Sequence, residues 1–381
     1  MRFGVLVTTI AGAALAFAAV GAGAEERLPV GGEPEARIVY FDGSPVLVRH
    51  AEREWLELAA DHRLKRYDYL QTAIDERLEF VVPALGEPFA RVTLAGDSAL
   101  YLEYAEQGGG AALPRPPVLQ LLRGSVRFEV MAPADEPADV REDEPRGREA
   151  AEIAVGAGAV TVRVQDGEGG VEKLPNGAVL VWANRGWARV IGPAEPDRPA
   201  GQQRLAGRGR MVEYRADRGF RNHLAAELGG ADGRRDDARR DAAERVVELI
   251  SNEETEYHRA RAEFERMYRE LLELRETWYA WMRAERVGRA PLSDDEGVRN
   301  EVHALLDELH EPAERLERSL HRLGVLSRYV VQPPSQQTAV APESHAEASV
   351  GVMRAVARDG PILTERLHTL RHLRAVLSEP D

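Results

Sequence analysis

The spacing of apolar residues changes once along this chain, near Arg215–Asp236, and that change decides which elements each half can form. Before it, short runs alternate apolar and polar residues, with frequent Val, Gly and Pro. After it, Glu, Arg, Leu and Ala dominate, and apolar residues recur at steps of three and four. A period of two puts successive side chains on opposite faces of a strand, whereas alternating steps of three and four put them on one helical stripe. The chain is therefore read as α+β with segregated halves. An all-β domain over 36–215 (sandwich, barrel or solenoid) precedes a linker at 216–235, a long helical hairpin at 236–330, a linker at 331–344 and C-terminal helices at 345–381.

In the β half, Arg37–Phe41 and Pro45–Arg49 flank Asp42-Gly43, which reads as a hairpin. Strands are expected at 77–82, 90–94 and 99–104, with a turn at Gly96-Asp97. Gly124 is expected to turn the chain between 118–122 and 125–131. Further strands follow at 153–155, 160–164, 171–174, 178–183 and 188–191, with turns at Asn176-Gly177 and Asn184–Gly186. Glu52–Tyr69 breaks the series as a helical or irregular insertion, and Ala132–Glu149 reads as an exposed loop.

In the α half, Val246, Ile250, Glu253, Tyr257, Ala260, Phe264, Met267, Leu271, Leu274, Trp278 and Trp281 form a heptad seam along one helix, Asp236–Arg286. Ser293 to Glu296 spells a capping box that starts a second helix. Pro312 is expected to kink or restart it, and Asp359-Gly360-Pro361 to break the third. The simplest cover for the seam is an antiparallel bundle; a seam this regular is also a signal for self-association, with Glu253 against a partner.

The first residues carry an export signal. Arg2 precedes an uncharged stretch from Phe3 to Val20, and Gly21-Ala22-Gly23-Ala24 leads into Glu25-Glu26. That order is a positive n-region, an apolar core and a small-residue cleavage site, so residues 1–24 are expected to be a signal peptide cut after Ala24. A periplasmic or secreted location follows, with no integral membrane segment. The chain holds no Cys, which excludes disulfides and thiolate metal sites, and its net charge of −14 argues against nucleic acid as a partner.

Motifs for chemistry are weak. Gly156-Ala157-Gly158 lacks the third glycine of a dinucleotide loop and reads as a turn. His368 and His372 share a helix face, but no Glu adjoins His368, and Arg366, Arg371 and Arg374 crowd it; a solvated face is expected there, as for His303, His310 and His321. Lys occurs only at 65 and 173, which disfavours Ser-Lys chemistry. No catalytic, metal or cofactor-binding residue is assigned. The expected ligand or partner surface is aromatic: Trp182 and Trp187 beside a turn, and Trp278 and Trp281 on the seam.

Several stretches of the β half, in order, resemble the FecR-type extracytoplasmic domain. Asp42 to Arg49 fits its opening Gly-x-Val-x-Val pair, and Trp55 stands where a Trp is usual. Tyr67-Asp68-Tyr69-Leu70-Gln71-Thr72-Ala73 keeps the Asp, the apolar residue and the Thr of a Gly-Asp-x-Ile-x-Thr-Gly stretch but neither glycine. Ser98 to Leu102 and Leu121 to Val130 match the next two runs, Ile153 to Val164 keeps only apolar alternation, and Val181–Val190 with Gly201 to Leu205 echo the end. The resemblance covers roughly 36–215 and leaves the α half unrecognised. It implies a sensing or scaffold module and no catalyst. Regulators of that type place a sigma-restraining segment and a membrane span before the domain; neither is expected here, where the export signal comes first.

The expected function is a non-enzymatic exported binding or scaffold protein, with an envelope protein or peptidoglycan glycan as partner and self-association through the helices. The alternative is an envelope hydrolase acting on glycan through paired carboxylates such as Glu172 and Asp166. N-terminal sequencing of the exported protein is expected to begin at Glu25; a retained Met1 in the envelope fraction would instead make the segment an anchor.

Overall fold

The computed structural model describes residues 36–49, 58–83, 89–103, 118–130, 152–193, 201–224, 230–286, 296–331 and 343–378. The expected signal peptide, Trp55, Ser293 and the loop at 132–149 lie outside them. Among the described residues, no helix is long and apolar enough to cross a membrane.

Thirteen strands join one sheet. They are β1 (Arg37–Asp42), β2 (Val46–Val48), β3 (Tyr69–Gln71), β4 (Arg77–Pro83), β5 (Phe89–Leu94), β6 (Ala99–Glu103), β7 (Val118–Val130), β8 (Glu152–Ala157), β9 (Val160–Lys173), β10 (Val179–Ile191), β11 (Gln203–Ala206), β12 (Arg210–Arg215) and β13 (Gly219–Leu224). The main path runs β1-β4-β5-β7-β8-β9-β10-β12-β13, and β9 also pairs with β7, so the sheet folds back on itself. One face buries a core that includes Ile38, Leu70, Phe80, Val92, Leu100, Val126, Val162 and Val181. The other face carries two smaller apolar patches, around Tyr67, Tyr69 and Tyr101 and around Leu180 and Met211.

Three sequence expectations fail here for one reason: a turn residue shows that the chain bends, not whom the flanking strands join. Gly43 has a positive φ of 85°, but β1 pairs with β4 while β2 pairs with β3, so Asp42-Gly43 is no hairpin. Gly124, at φ 79°, bends one continuous strand: residues of β7 before it pair with β6 and β8, and those after it with β5 and β9. The expected turn at Asn184–Gly186 is a pair of register shifts inside β10, which pairs with β9 from Val179 to Ile191. Both glycine turns on either side of β9 do form, with Gly158 and Gly177 at φ 70° and 84°.

A polar network between turns fixes the start of the β half. Thr72 is fully buried; its Oγ1 donates to Ala95 O at 2.6 Å and accepts from Ser98 N–H at 3.1 Å. Ser98 Oγ in turn accepts from Ser125 N–H at 2.9 Å. A Cβ on Gly124 would lie 2.1 Å from Ser98 Oγ, so the bend in β7 needs glycine for space as well as for φ. Beside this, buried Asp68 accepts both forks of Arg49, at 3.1 and 2.9 Å, and Lys65 N–H at 2.7 Å. The two polar residues that the resemblance picked out, Asp68 and Thr72, are thus ties that set the position of β3.

The helices are α1 (Gly230–Glu244), α2 (Val246–Glu273), α3 (Arg275–Arg286), α4 (Glu296–Val331) and α5 (Glu343–Ser378). The long helix expected over Asp236–Arg286 is there but interrupted at Arg245 and Leu274. At Leu274 the bond tightens to Leu271 O, and the Trp278 indole donates to that same carbonyl at 2.9 Å. The stretch expected as a linker at 216–235 contains β13 and the first turn of α1. Helices α4 and α5 run through Pro312 and Pro361, with no break at Asp359–Pro361. The seam is buried as read, from Ile250 through Tyr257, Ala260, Phe264 and Leu271 to Trp278, and α4 and α5 cover it. Within the chain, Glu253 pairs with Arg322 of α4 at 3.0 Å.

Thr72→Val keeps the shape but strands the Ser98 N–H in the core. Stability is expected to fall by about 1–3 kcal/mol, seen as a lower urea midpoint at unchanged slope; an unchanged midpoint would remove Thr72 from its structural role.

Candidate functional site

Pro34–Asp381 forms one compact unit, because the helices seat on the outer face of the sheet. The first contact is ionic. Arg235 of α1 donates to Glu172 of β9 at 2.5 Å, Asp241 of α1 accepts from Asn176 at 2.8 Å and from Arg215 of β12 at 3.0 Å, and Arg328 of α4 grips Asp97. The second contact is aromatic. Arg371 of α5, which is buried, lies over the rings of Tyr69 (5.6 Å) and Tyr101 (4.6 Å) and pairs with buried Glu317 of α4. His368 meets Tyr69 edge-on at 4.9 Å. Burial and Arg371 push His368 down to about 3, so it is neutral at pH 7. The face expected to be solvated, with His368 and His372, is instead the docking face of α5, and His372 is itself buried. Among the described residues no three His, Asp or Glu side chains gather as a metal set.

Between these contacts lies a cleft of about 410 Å³, walled by the C-terminal end of β9 and the β9–β10 turn on one side and by α2 and α4 on the other. Its charged lining is Arg123 and Lys173 from the sheet, Glu253 and Glu256 from α2, and Arg315, Arg318 and Arg322 from α4. A second recess of about 450 Å³ adjoins it and shares Arg123 and Lys173. Arg318 and Arg322 are four residues apart, so α4 presents both on one face. Arg322 also lies close over the turn, where a Cβ on Gly177 would stand 2.5 Å from its Nη2. Burial, then Arg318 and Arg322, lower the Lys173 ammonium to about 8, against the opposing pull of Glu253 and Glu317. Its folded value lies below its unfolded one. Lys173 therefore costs stability below about pH 8, where it is charged in both states, and the cost fades as pH rises toward the usual lysine range. His321, also in the lining, is pushed well below its usual value by burial and by Arg123, Lys173 and Arg371.

The four tryptophans do not converge. Trp278 and Trp281 are core residues of the helical half, buried to 0% and 3% exposure. Trp182 is half-buried, capped by Arg235 at 5.5 Å and laid across Gly170. Trp187 is exposed at 56% and rests against Gly207. Glu172 of the carboxylate pair is taken by Arg235. The side chain of Asp166 lies outside the described residues. What the sequence reading missed is the cleft, whose one early signal was the scarcity of lysine: one of only two lysines in the chain lines it.

No family model and no curated protein matches this chain. Two crystal structures of a candidate anti-sigma factor from Parabacteroides distasonis ATCC 8503, at 2.50 and 1.65 Å resolution, are similar over 41% of this chain at 12% identity and a TM-score of 0.27. The chain spans 59% of the length of each. A likeness this slight carries neither fold nor function across.

Arg371→Ala leaves Glu317 buried and unpaired and is expected to cost about 3–5 kcal/mol. Replacing both residues by Met should recover most of that loss. A double-mutant cycle by thermal or urea unfolding measures it; additive losses would show that the pair is not coupled.

Proposed function

We propose that this chain is an exported, non-enzymatic binding or scaffold protein, built on a FecR-like β module that presents a docked helical arm. The observation that carries the reading is the seating of α1, α4 and α5 on the sheet through ionic contacts and the buried Arg371–Tyr101 contact, which leaves a cleft rich in cations along the joint. A rigid joint between a β module and a helical bundle suits a protein that holds a ligand or partner at a fixed geometry, since preorganisation lowers the entropy lost on binding. The exposed ring of Trp187 offers a further contact for an envelope protein or a glycan.

Immobilised purified protein is expected to retain a defined envelope protein, or to sediment with peptidoglycan, and Trp187→Ala is expected to weaken that retention. Release of soluble sugar from peptidoglycan by the wild-type protein would overturn the non-enzymatic reading. Failure to retain either kind of partner would overturn the scaffold.

A further inference from the structure

We propose that the cleft between β9 and α4 binds a small, multiply charged oxyanion of the organic phosphate class, held by Lys173, Arg318 and Arg322 with Arg123 on the sheet side. This deepens the binding-protein reading and rests on it.

The argument is one of charge accounting. Elsewhere on the joint cations meet carboxylates, as Arg235 meets Glu172, Arg328 meets Asp97 and Arg215 meets Asp241. In the cleft both sides bring cations, and against Arg123, Lys173, Arg315, Arg318 and Arg322 the lining sets two carboxylates, Glu253 and Glu256 of α2; Arg315 is itself paired with Glu263. Arg322 is matched by Glu253 at 3.0 Å and Arg123 by Asp97 at 3.3 Å, the latter a carboxylate already held by Arg328. Lys173 and Arg318 form no ion pair with any described carboxylate, although Glu253 and Glu317 act on Lys173 from further off. The Nε–H groups of Arg123 and Arg322 are buried and have no acceptor among the described residues. Like charges gathered in a partly desolvated space, with donors to spare, cost the empty protein stability, and an anion with several oxygens repays that cost.

Size and lining narrow the class. About 410 Å³ suits a small molecule and no folded partner. Leu122, Leu174, Val179 and Val325 add apolar wall for the organic part. Planar guanidinium forks together with one ammonium suit the several oxygens of a phosphate better than a lone carboxylate. His321 stays neutral and adds no charge.

Isothermal titration of the purified chain with inorganic pyrophosphate and with glucose 1-phosphate tests this, with sodium sulfate and glucose as controls. Both phosphate probes should bind more tightly than sulfate, and glucose should not bind. Lys173→Gln and Arg318→Gln should each weaken binding about tenfold or more. Binding should weaken with added salt and fall above about pH 8 as Lys173 loses its proton. The variants without ligand should melt at the same temperature as wild type or higher, which separates a binding role from a structural one. Absent heat, sulfate-like affinity, unaltered affinity in both variants, or variants that melt well below wild type would each overturn the site. A protein that retains its envelope partner yet ignores both phosphates would refute this inference alone and leave the scaffold reading standing.

Discussion

The union of the two halves depends on where one guanidinium is placed. Arg371 leaves α5 and sits at 8% exposure, a position that is costly for a charge unless it is met on several sides. Glu317 supplies the counter-charge, His368 Nδ1 lies 3.0 Å away, and the rings of Tyr69 and Tyr101 supply π faces. Those rings face the arm together because β3 and β6 pair Tyr69 directly with Tyr101. That register is held in turn by Asp68 on Arg49 and by Thr72 between Ala95 and Ser98. A few turn-level hydrogen bonds in the sheet thereby determine where a helix some three hundred residues later in the chain can dock.

Charge follows a rule across the joint. Helices α1 and α4 contribute arginines, and the sheet contributes Glu172, Glu213 and Asp97 to receive them. Arginine suits this work because its stem covers apolar surface while its fork pairs at the rim. The rule explains how a chain of net charge −14 seats an Arg-rich bundle on a β module without charge repulsion. It is reversed where Arg215 of β12 meets Asp241 of α1, and where Lys173 and Arg123 stand in place of sheet acids the two surfaces part as a cleft.

How much of this was legible depends on the range of the signal. The seam read from Ile250 to Trp281 is buried almost position for position, because a heptad is a local pattern that any covering helix must respect. The segregation of β from α was legible on the same ground. Strand partners were not: Gly43 and Gly124 announce bends, yet β1 finds β4 and β7 serves four neighbours, choices made by contacts distant in sequence. The break expected at Asp359-Gly360-Pro361 is absent: α5 continues through it, with Asp359 and Leu363 buried on either side. The tryptophans misled in a different way. An aromatic on a seam is first of all core, as Trp278 and Trp281 are, and only Trp187 kept the exposure that a surface role needs. The cleft was hard to read, since Lys173 of β9 meets Arg318 and Arg322 of α4 only through tertiary packing.

His321 stands between the clasp and the cleft and decides how the two can coexist. It lies on α4 among Arg123, Lys173 and Arg371, and its ring stacks toward Tyr69 at 6.5 Å. A protonated imidazole there would add another positive charge to a cluster already short of carboxylates. Burial and those neighbours keep it neutral, so an uncharged aromatic spacer separates the buried Arg371 pair from the cations of the cleft. Glu317 of the clasp, His321 and Arg322 of the cleft lie within six residues of α4, so one helix carries all three.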